Sequence, residues 1–191
     1  LSSEGTHRWS RSFGGVGALS AADVAVDDAG NVFMTGYFGA SVAAGTVDLG
    51  GGVLTSAGAS DIFLAKYAPE GTHLWSRRFG AGRFDQGMAI EVGDGAVVLT
   101  GSFSETVDFG GGPRTSTGIF EDTFVAGFSE AGEHLWSLRF GALGFDDGQT
   151  LAIDDACRLV LGGTFHGVID FGQGPLQSSG TERDIFVARL P

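Results

Sequence analysis

An eleven-residue segment occurs three times in this chain, at residues 5–15, 71–81 and 132–142. Its copies share a histidine, the pair Trp-Ser and the pair Phe-Gly. All three tryptophans of the protein, Trp9, Trp75 and Trp136, lie within these copies. Self-similarity at a period of about 60 residues predicts a repeat array or a propeller, whose units bury their faces only against one another.

Composition narrows the fold class and the partners. Of 191 residues, 42% are hydrophobic and 34 are glycine, whereas only 4 are proline, which favours many short strands joined by glycine turns. The formal net charge of −12 repels polyanions, so we expect no nucleic-acid partner. No run of apolar residues approaches the roughly 18 that a membrane span needs, so we expect no membrane-spanning segment.

Each unit is predicted to contain four strands. Two apolar segments flank a tight turn, as at residues 23–35, which is a hairpin signal. A longer polar segment leads to a third apolar segment, and the Trp segment follows. The middle strands are apolar on both faces, which is typical of a sheet stacked between two others. The predicted fold is therefore all-β, a β-propeller-like array of three four-stranded antiparallel blades. It forms a single domain, 1–191, with units at about 14–79, 80–140, and 141–191 plus 1–13.

The two ends of the chain match each other. Residues 184–190 resemble residues 61–67, and residues 1–7 resemble residues 67–73, so the N- and C-terminal strands are expected to complete a shared blade. Three blades fall short of the usual 4–8. We therefore expect a homodimer that closes a six-bladed ring; the alternative is a segment of a longer propeller. Because the chain begins inside a repeat and shows no signal sequence, we expect a processed product or a piece of something longer.

The recurring elements, Trp-Ser-x-x-Phe-Gly, Thr-Gly, Val-Asp-Phe-Gly and Asp-Ile-Phe-Val-Ala, resemble the bacterial β-propeller repeat family over essentially the whole chain. Members of that family occur in many-copy exported and surface proteins. The resemblance implies the propeller fold and an extracellular or cell-surface setting. It carries no catalytic motif.

Metal sites and cofactors are not expected. His7, His73 and His134 occupy one position in three units, too far apart to share an ion, and should pack beside the Trp strand. Cys157 is the single cysteine, so it forms no intrachain disulfide and should be an ordinary small residue. Two sets of aspartates should fix turns by accepting backbone N–H bonds, with calcium binding as the alternative; they are Asp48, Asp108 and Asp170, and Asp61, Asp122 and Asp184.

Loops that join one unit to the next, and the long loops between the second and third strands, are the predicted ligand sites, because in propellers they usually meet on one face around the central channel. Residues that break the repeat are the stronger candidates there, because a scaffold repeats and a single site does not. The candidate ligand-binding residues are Tyr37, Arg83, Phe84, Asp85, Phe145, Asp146, Asp147 and His166. Because no catalytic motif is present, we expect a non-enzymatic binding or structural module whose partners are proteins or glycans. The alternative is a polysaccharide hydrolase or lyase that uses the loop carboxylates Asp85, Asp146 and Asp147.

Overall fold

A computed structural model describes residues 4–40, 44–154 and 158–190. These residues form eighteen β-strands and no helix, which confirms the all-β prediction. None of the described residues therefore belongs to a helix that could cross a membrane. The prediction for Cys157 lies outside the described residues.

The strands are short and are joined by glycine-rich turns. In chain order they are β1 (Gly14–Val16), β2 (Ala18–Val26), β3 (Val32–Gly39), β4 (Thr46–Asp48), β5 (Val53–Thr55), β6 (Asp61–Tyr67), β7 (His73–Phe79), β8 (Asp85–Gly93), β9 (Ala96–Phe103), β10 (Thr106–Asp108), β11 (Pro113–Thr115), β12 (Asp122–Ser129), β13 (His134–Phe140), β14 (Asp147–Ile153), β15 (Leu159–Phe165), β16 (Val168–Asp170), β17 (Pro175–Gln177) and β18 (Asp184–Leu190).

Two antiparallel four-stranded sheets have the predicted strand order. Sheet 1 runs β2-β3-β6-β7 and sheet 2 runs β8-β9-β12-β13. Each begins with the predicted hairpin and ends with a Trp strand, in which Ser76 lies opposite Ala65 and Ser137 opposite Ala126. The first strand of each sheet carries a bulge at the same place, after Ala21 in β2 and after Gly87 in β8.

The prediction of three four-stranded blades is wrong for the third unit. Sheet 3 contains three strands, β14-β15-β18, and β18 forms its edge. Residues 1–13 of a second copy were expected to complete this blade; within the described chain, residues 5–13 belong to no strand. The described sheets do not close into a ring within the chain. The reason lies in how residues 5–13 pack: Trp9 and Phe13 attach them to sheet 1, where Trp9 Nε1 donates to the Pro69 carbonyl at 2.8 Å and the Phe13 ring stacks on Tyr67 at 5.4 Å.

The polar segments before each third strand, which the sequence did not identify as strands, fold as short hairpins in separate sheets, β4–β5 with β1, β10–β11, and β16–β17. An aspartate fixes each turn. Asp48 Oδ1 accepts bonds from the backbone N–H groups of Gly50 (2.8 Å) and Gly52 (3.2 Å), and Asp108 and Asp170 do the same in the other units. Their predicted role in turns is confirmed.

The core lies between the stacked sheets. One cluster joins sheets 1 and 2 and includes Ile62, Leu64, Ile90 and Phe124, and a second joins Val125 of sheet 2 to the strands of sheet 3. Sheet 2 is covered on both faces, which explains why its middle strands are apolar throughout. This stacking also positions the loops between units at one end of the sheets.

Candidate functional site

The junction between sheets 1 and 2 contains two buried carboxylates and an arginine. Asp61 and Asp85 are fully buried, and the Arg78 guanidinium forms an ion pair with Asp61. Asp85 accepts bonds from the backbone N–H groups of Ala81 (2.8 Å) and Ser104 (3.1 Å). Burial raises the pKa of Asp85 to about 7, because desolvation outweighs these two hydrogen bonds. Asp85 therefore links the backbone at Ala81 to the backbone at Ser104 from below the protein surface.

The next junction repeats this arrangement. Arg139 pairs with the buried Asp122, and desolvation raises the pKa of Asp122 despite that pairing. Asp146 is fully buried and accepts bonds from Ala142 N (3.1 Å) and His166 N (3.3 Å). Burial raises the pKa of Asp146 to about 6. Because both junctions contain the same groups, their carboxylates belong to the repeating scaffold.

A depression open to solvent lies above the second junction; we call it the loop cleft. It consists of two adjoining hollows that share Phe145 and Arg183. The larger hollow has a volume of about 600 Å³ and is lined by Gly118, Ile119, Phe120, Leu143, Gly144, Phe145, His166, Thr181, Glu182 and Arg183. The smaller hollow, of about 330 Å³, is lined by Phe84, Gln86, Ser102, Glu121, Phe145, Asp147 and Arg183.

Phe145 and Arg183 form the ridge between the two hollows. The Phe145 ring contacts the Phe120 ring at a centroid distance of 4.3 Å, and the Arg183 guanidinium lies 4.7 Å from the Phe145 centroid on its face. Arg183 also forms an ion pair with Asp147. The cation–π contact and the ion pair together hold the arginine head in one place.

The two hollows differ in chemistry. Ile119 and Leu143, at 70% and 73% exposure, make the larger one apolar. The smaller one places Phe84, which is 46% exposed, beside the Glu121 carboxylate. Glu121 Oε2 is buried and accepts no hydrogen bond within the described part of the chain. Such an arrangement can receive an apolar side chain next to a hydrogen-bond donor or a cationic group.

Four of the eight residues predicted from the sequence line the loop cleft. They are Phe84, Phe145, Asp147 and His166. Their role in ligand binding stays a prediction.

The other four predicted residues lie outside the cleft lining. Arg83 forms an exposed ion pair with Glu105 at 3.2 Å, and Tyr37 lies within β3 in sheet 1. Asp85 and Asp146 lie in the buried junctions described above.

The sequence analysis missed Ile119, Phe120, Leu143, Glu121 and Arg183. A signal was present: the loop before the third strand is one residue longer in the second unit, 116–122, than in the first, 56–61, and it contains an apolar pair among polar residues. Periodicity did not single out this pair, because the loop lies outside the strands that repeat from unit to unit.

His73 and His134 are packed, as predicted, whereas His7 is exposed. His73 lies against the glycine turn 50–52 and edge-on to Tyr67 at 5.8 Å, and His134 lies likewise against the turn 110–112. Within residues 4–40, 44–154 and 158–190, no group of three His, Cys, Asp or Glu side chains could hold a metal ion. Calcium binding by the turn aspartates stays a hypothesis.

A further apolar groove of about 440 Å³, lined by residues that include Trp136, Leu138 and Leu190, lies between sheets 2 and 3. At the preceding junction the turn after β12 covers the corresponding place, where Trp75 Nε1 donates to the Glu130 carbonyl at 3.1 Å. The groove is therefore part of a seam between sheets, and the loop cleft is the better candidate site.

Comparisons with known proteins agree with the repeat architecture. Residues 8–37 match a family described as Beta-propeller repeat. The chain is 30% identical over 152 residues to the regulatory protein FlaEY of Caulobacter vibrioides, an alignment that covers 77% of this chain and 16% of that protein. It is 24% identical over 157 residues to the uncharacterized WD repeat-containing protein L264 of Acanthamoeba polyphaga mimivirus, covering 75% of this chain and 11% of that protein. The chain thus spans only a small part of the length of either relative.

Proposed function

Since residues 8–37 are a beta-propeller repeat and the same sequence elements recur in two further units, we propose that this chain is a binding module whose loop cleft takes up a segment of a partner protein. The observation that carries the proposal is that the cleft departs from the repeat. Arg183 stands where the first unit has Ser60 and the second has Glu121, and Asp147 stands where the second has Gln86. A scaffold needs no such differences, whereas a single recognition site does.

The lining defines the partner's chemistry. The larger hollow offers aliphatic and aromatic surface from Ile119, Phe120 and Leu143, which suits a bulky apolar side chain. The Glu121 carboxylate in the smaller hollow suits a lysine or arginine beside that apolar residue. The acidic balance of the chain, −12, would draw a basic segment towards it.

A protein segment fits this surface better than a glycan. Sugar rings stack on aromatic faces and need many hydrogen-bonding groups, whereas Ile119 and Leu143 supply neither. Regulatory and WD-repeat relatives also support a module that acts through binding.

The alternative of a hydrolase or lyase receives no support from the geometry. It required Asp85, Asp146 and Asp147 to face a substrate together. Asp85 and Asp146 are fully buried and bonded to backbone N–H groups, and Asp147 is paired with Arg183. The extracellular or cell-surface setting implied by the family resemblance stays part of the proposal.

Selection of a random peptide library, displayed on phage, against the immobilised chain tests the proposal. We expect enriched peptides to share a large apolar residue next to Lys or Arg. Leu143→Asp should weaken their binding at least tenfold, because it places a charge in the apolar hollow. Glu121→Gln should weaken mainly the peptides that carry Lys or Arg.

The matched control is Val53→Asp, which puts the same charge on an equally exposed valine outside the cleft and should leave peptide binding unchanged. Enrichment of no peptide, or binding that is indifferent to Leu143→Asp, would contradict the proposal. Binding on a glycan array that Leu143→Asp abolishes would replace the protein partner by a sugar.

A further inference from the structure

The loops that carry two phenylalanines of the loop cleft are each held by a buried carboxyl. Phe84 and Phe145 line the smaller hollow, and each directly precedes a fully buried aspartate, Asp85 or Asp146. Asp146 is also bonded to the backbone of His166, which lines the larger hollow. A shift of either aspartate would therefore move residues of the cleft wall.

At the second junction the buried carboxyl faces another one. A Cβ built at Gly141 would lie 2.6 Å from Asp146 Oδ2 and 2.8 Å from Asp122 Oδ1, so both oxygens border the same small space beside the glycine. Asp122 Oδ2 accepts bonds from Thr117 N at 2.9 Å and from Arg139. Asp122 Oδ1 is buried and accepts no hydrogen bond from the residues that the structure describes. A buried acceptor thus points towards a second carboxyl and needs a donor there.

The first junction contains the same arrangement. A Cβ built at Gly80 would lie 2.9 Å from Asp61 Oδ1, which is buried and likewise accepts no hydrogen bond within the described ranges. The residue after this glycine, Ala81, donates its N–H to Asp85 Oδ2 at 2.8 Å. A glycine, an acceptor without a donor and a second buried carboxyl therefore occur together twice. The repetition shows that the pair of carboxyls is built into the junction.

Each pair contains one carboxyl that forms no ion pair. In the second junction Arg139 is paired with Asp122 and Arg183 with Asp147, so neither guanidinium is bound to Asp146. A fully buried carboxyl without a cation takes up a proton, because burying its unpaired charge is costly. The charged and titratable groups around Asp146 are Asp122, Arg139, Glu121, Asp147, Arg183 and His166.

The balance of charges around Asp85 is the same. Arg78 is paired with Asp61 and Arg83 with Glu105, and these four groups surround Asp85. Burial is the main cause that raises the pKa of Asp85 to about 7 and that of Asp146 to about 6, and the facing aspartate raises each pKa further. Geometry and charge therefore agree on one exchangeable proton in each pair.

We propose that Asp146 donates a shared proton to Asp122 Oδ1 and Asp85 one to Asp61 Oδ1, and that the loss of these protons changes the shape of the loop cleft. With the proton, a hydrogen bond ties each loop to the start of a third strand; without it, two buried carboxylates repel each other. An aspartate of the unfolded chain titrates near pH 3.8, so the folded chain holds each proton more tightly and releases it as the pH rises through about 6 or 7. The consequence for partner binding, which rests on the proposed function, is stronger binding at mildly acidic pH.

A carbon-13 NMR titration of the aspartate side chains in the wild-type chain tests the shared protons. We expect Asp146 to titrate at about pH 6 and Asp85 at about pH 7, with the facing aspartates following the same midpoints at smaller amplitude. Asp122→Asn should lower the Asp146 midpoint by about one unit or more, because it removes the facing charge. Asp48→Asn, which removes the same charge from the turn after β4, is the matched control and should leave the Asp146 midpoint unchanged.

The methyl signals of Ile119 and Leu143 report on the cleft in the same titration. They should follow the Asp146 midpoint in the wild type and lose this pH dependence in Asp146→Asn. His166→Gln should keep the pH dependence, because only the backbone of His166 is bonded to Asp146.

Peptides selected for the cleft should bind about fivefold or more tightly at pH 5 than at pH 7.5. Failure to select any peptide would contradict the proposed function alone, and the NMR titration would still decide on the shared protons. Ordinary midpoints near pH 4 for Asp85 and Asp146, an Asp146 midpoint indifferent to Asp122→Asn, midpoints that fall when calcium is added, or cleft methyl signals that do not move would overturn the proposal.

Discussion

The contact between a glycine turn and the histidine beneath it gives a prediction with a definite sign. Gly111 lies over His134, and a Cβ built at Gly111 overlaps Cε1 and lies 2.8 Å from Nε2. The φ angle of Gly111 lies outside the left-handed region, so an alanine there suffers no backbone strain. The clash with the imidazole is the only penalty that the folded state adds.

The magnitude follows from two opposing effects. Overpacking of a closed contact costs about 1–3 kcal/mol. Replacing glycine by alanine restricts the unfolded chain and returns about 0.4–1 kcal/mol. We therefore expect Gly111→Ala to lower the free energy of unfolding by up to about 2.6 kcal/mol, with a central value of about 1.3 kcal/mol. In a His134→Ala background the clash is gone, and the same substitution should raise the free energy of unfolding by up to about 1 kcal/mol.

Urea unfolding of the wild type, both single variants and the double variant measures these four free energies and gives the coupling between the two sites. Gln173, which holds the equivalent position in the third unit, provides the control: Gln173→Gly adds no side chain that could overlap a neighbour, so it should change stability by no more than about 1 kcal/mol. An equal cost of Gly111→Ala in both backgrounds would refute the proposed contact.

Three further predictions concern the junctions between sheets. The pKa of Asp85 is about 7 in the folded state and near 3.8 in the unfolded chain, so the folded state binds more protons between these two pH values. The contribution of Asp85 to the free energy of unfolding should therefore fall by about 4 kcal/mol as the pH rises from about 4 to about 7. Urea titrations at several pH values should show this slope, and Asp85→Asn should remove it. Arg139→Leu leaves the buried Asp122 carboxylate without its cation and should cost about 2–4 kcal/mol in thermal or urea unfolding, a loss that Asp122→Asn should partly reverse in the double variant. Trp75→Ala should cost about 2–3 kcal/mol, less than a fully buried tryptophan, because its ring is only partly covered; Leu74→Ala, at an exposed position, should change stability by less than about 0.5 kcal/mol.

Local pattern was sufficient for the strands of sheets 1 and 2. Apolar runs bounded by turn residues gave the hairpin of β2 and β3, and the recurring Asp61 and Asp122 marked the start of each third strand. The same reasoning missed the hairpins such as β4–β5, because strands of three residues leave too little periodicity to detect. Half of the predicted site residues, among them Phe145 and His166, lie in the loop cleft because loops between neighbouring units necessarily meet at one end of stacked sheets.

By itself, the sequence determined the repeat, its all-β character and the aspartates that shape the turns, since each of these depends on residues close together in the chain. Only the tertiary structure decided which loop residues share a surface, that Asp85 and Asp146 are buried away from it, and that residues 5–13 pack on sheet 1 without completing sheet 3. These outcomes depend on contacts between units about 60 residues apart. A repeated sequence gives every unit the same pattern of residues, whereas the burial of a residue depends on which neighbouring unit covers that residue.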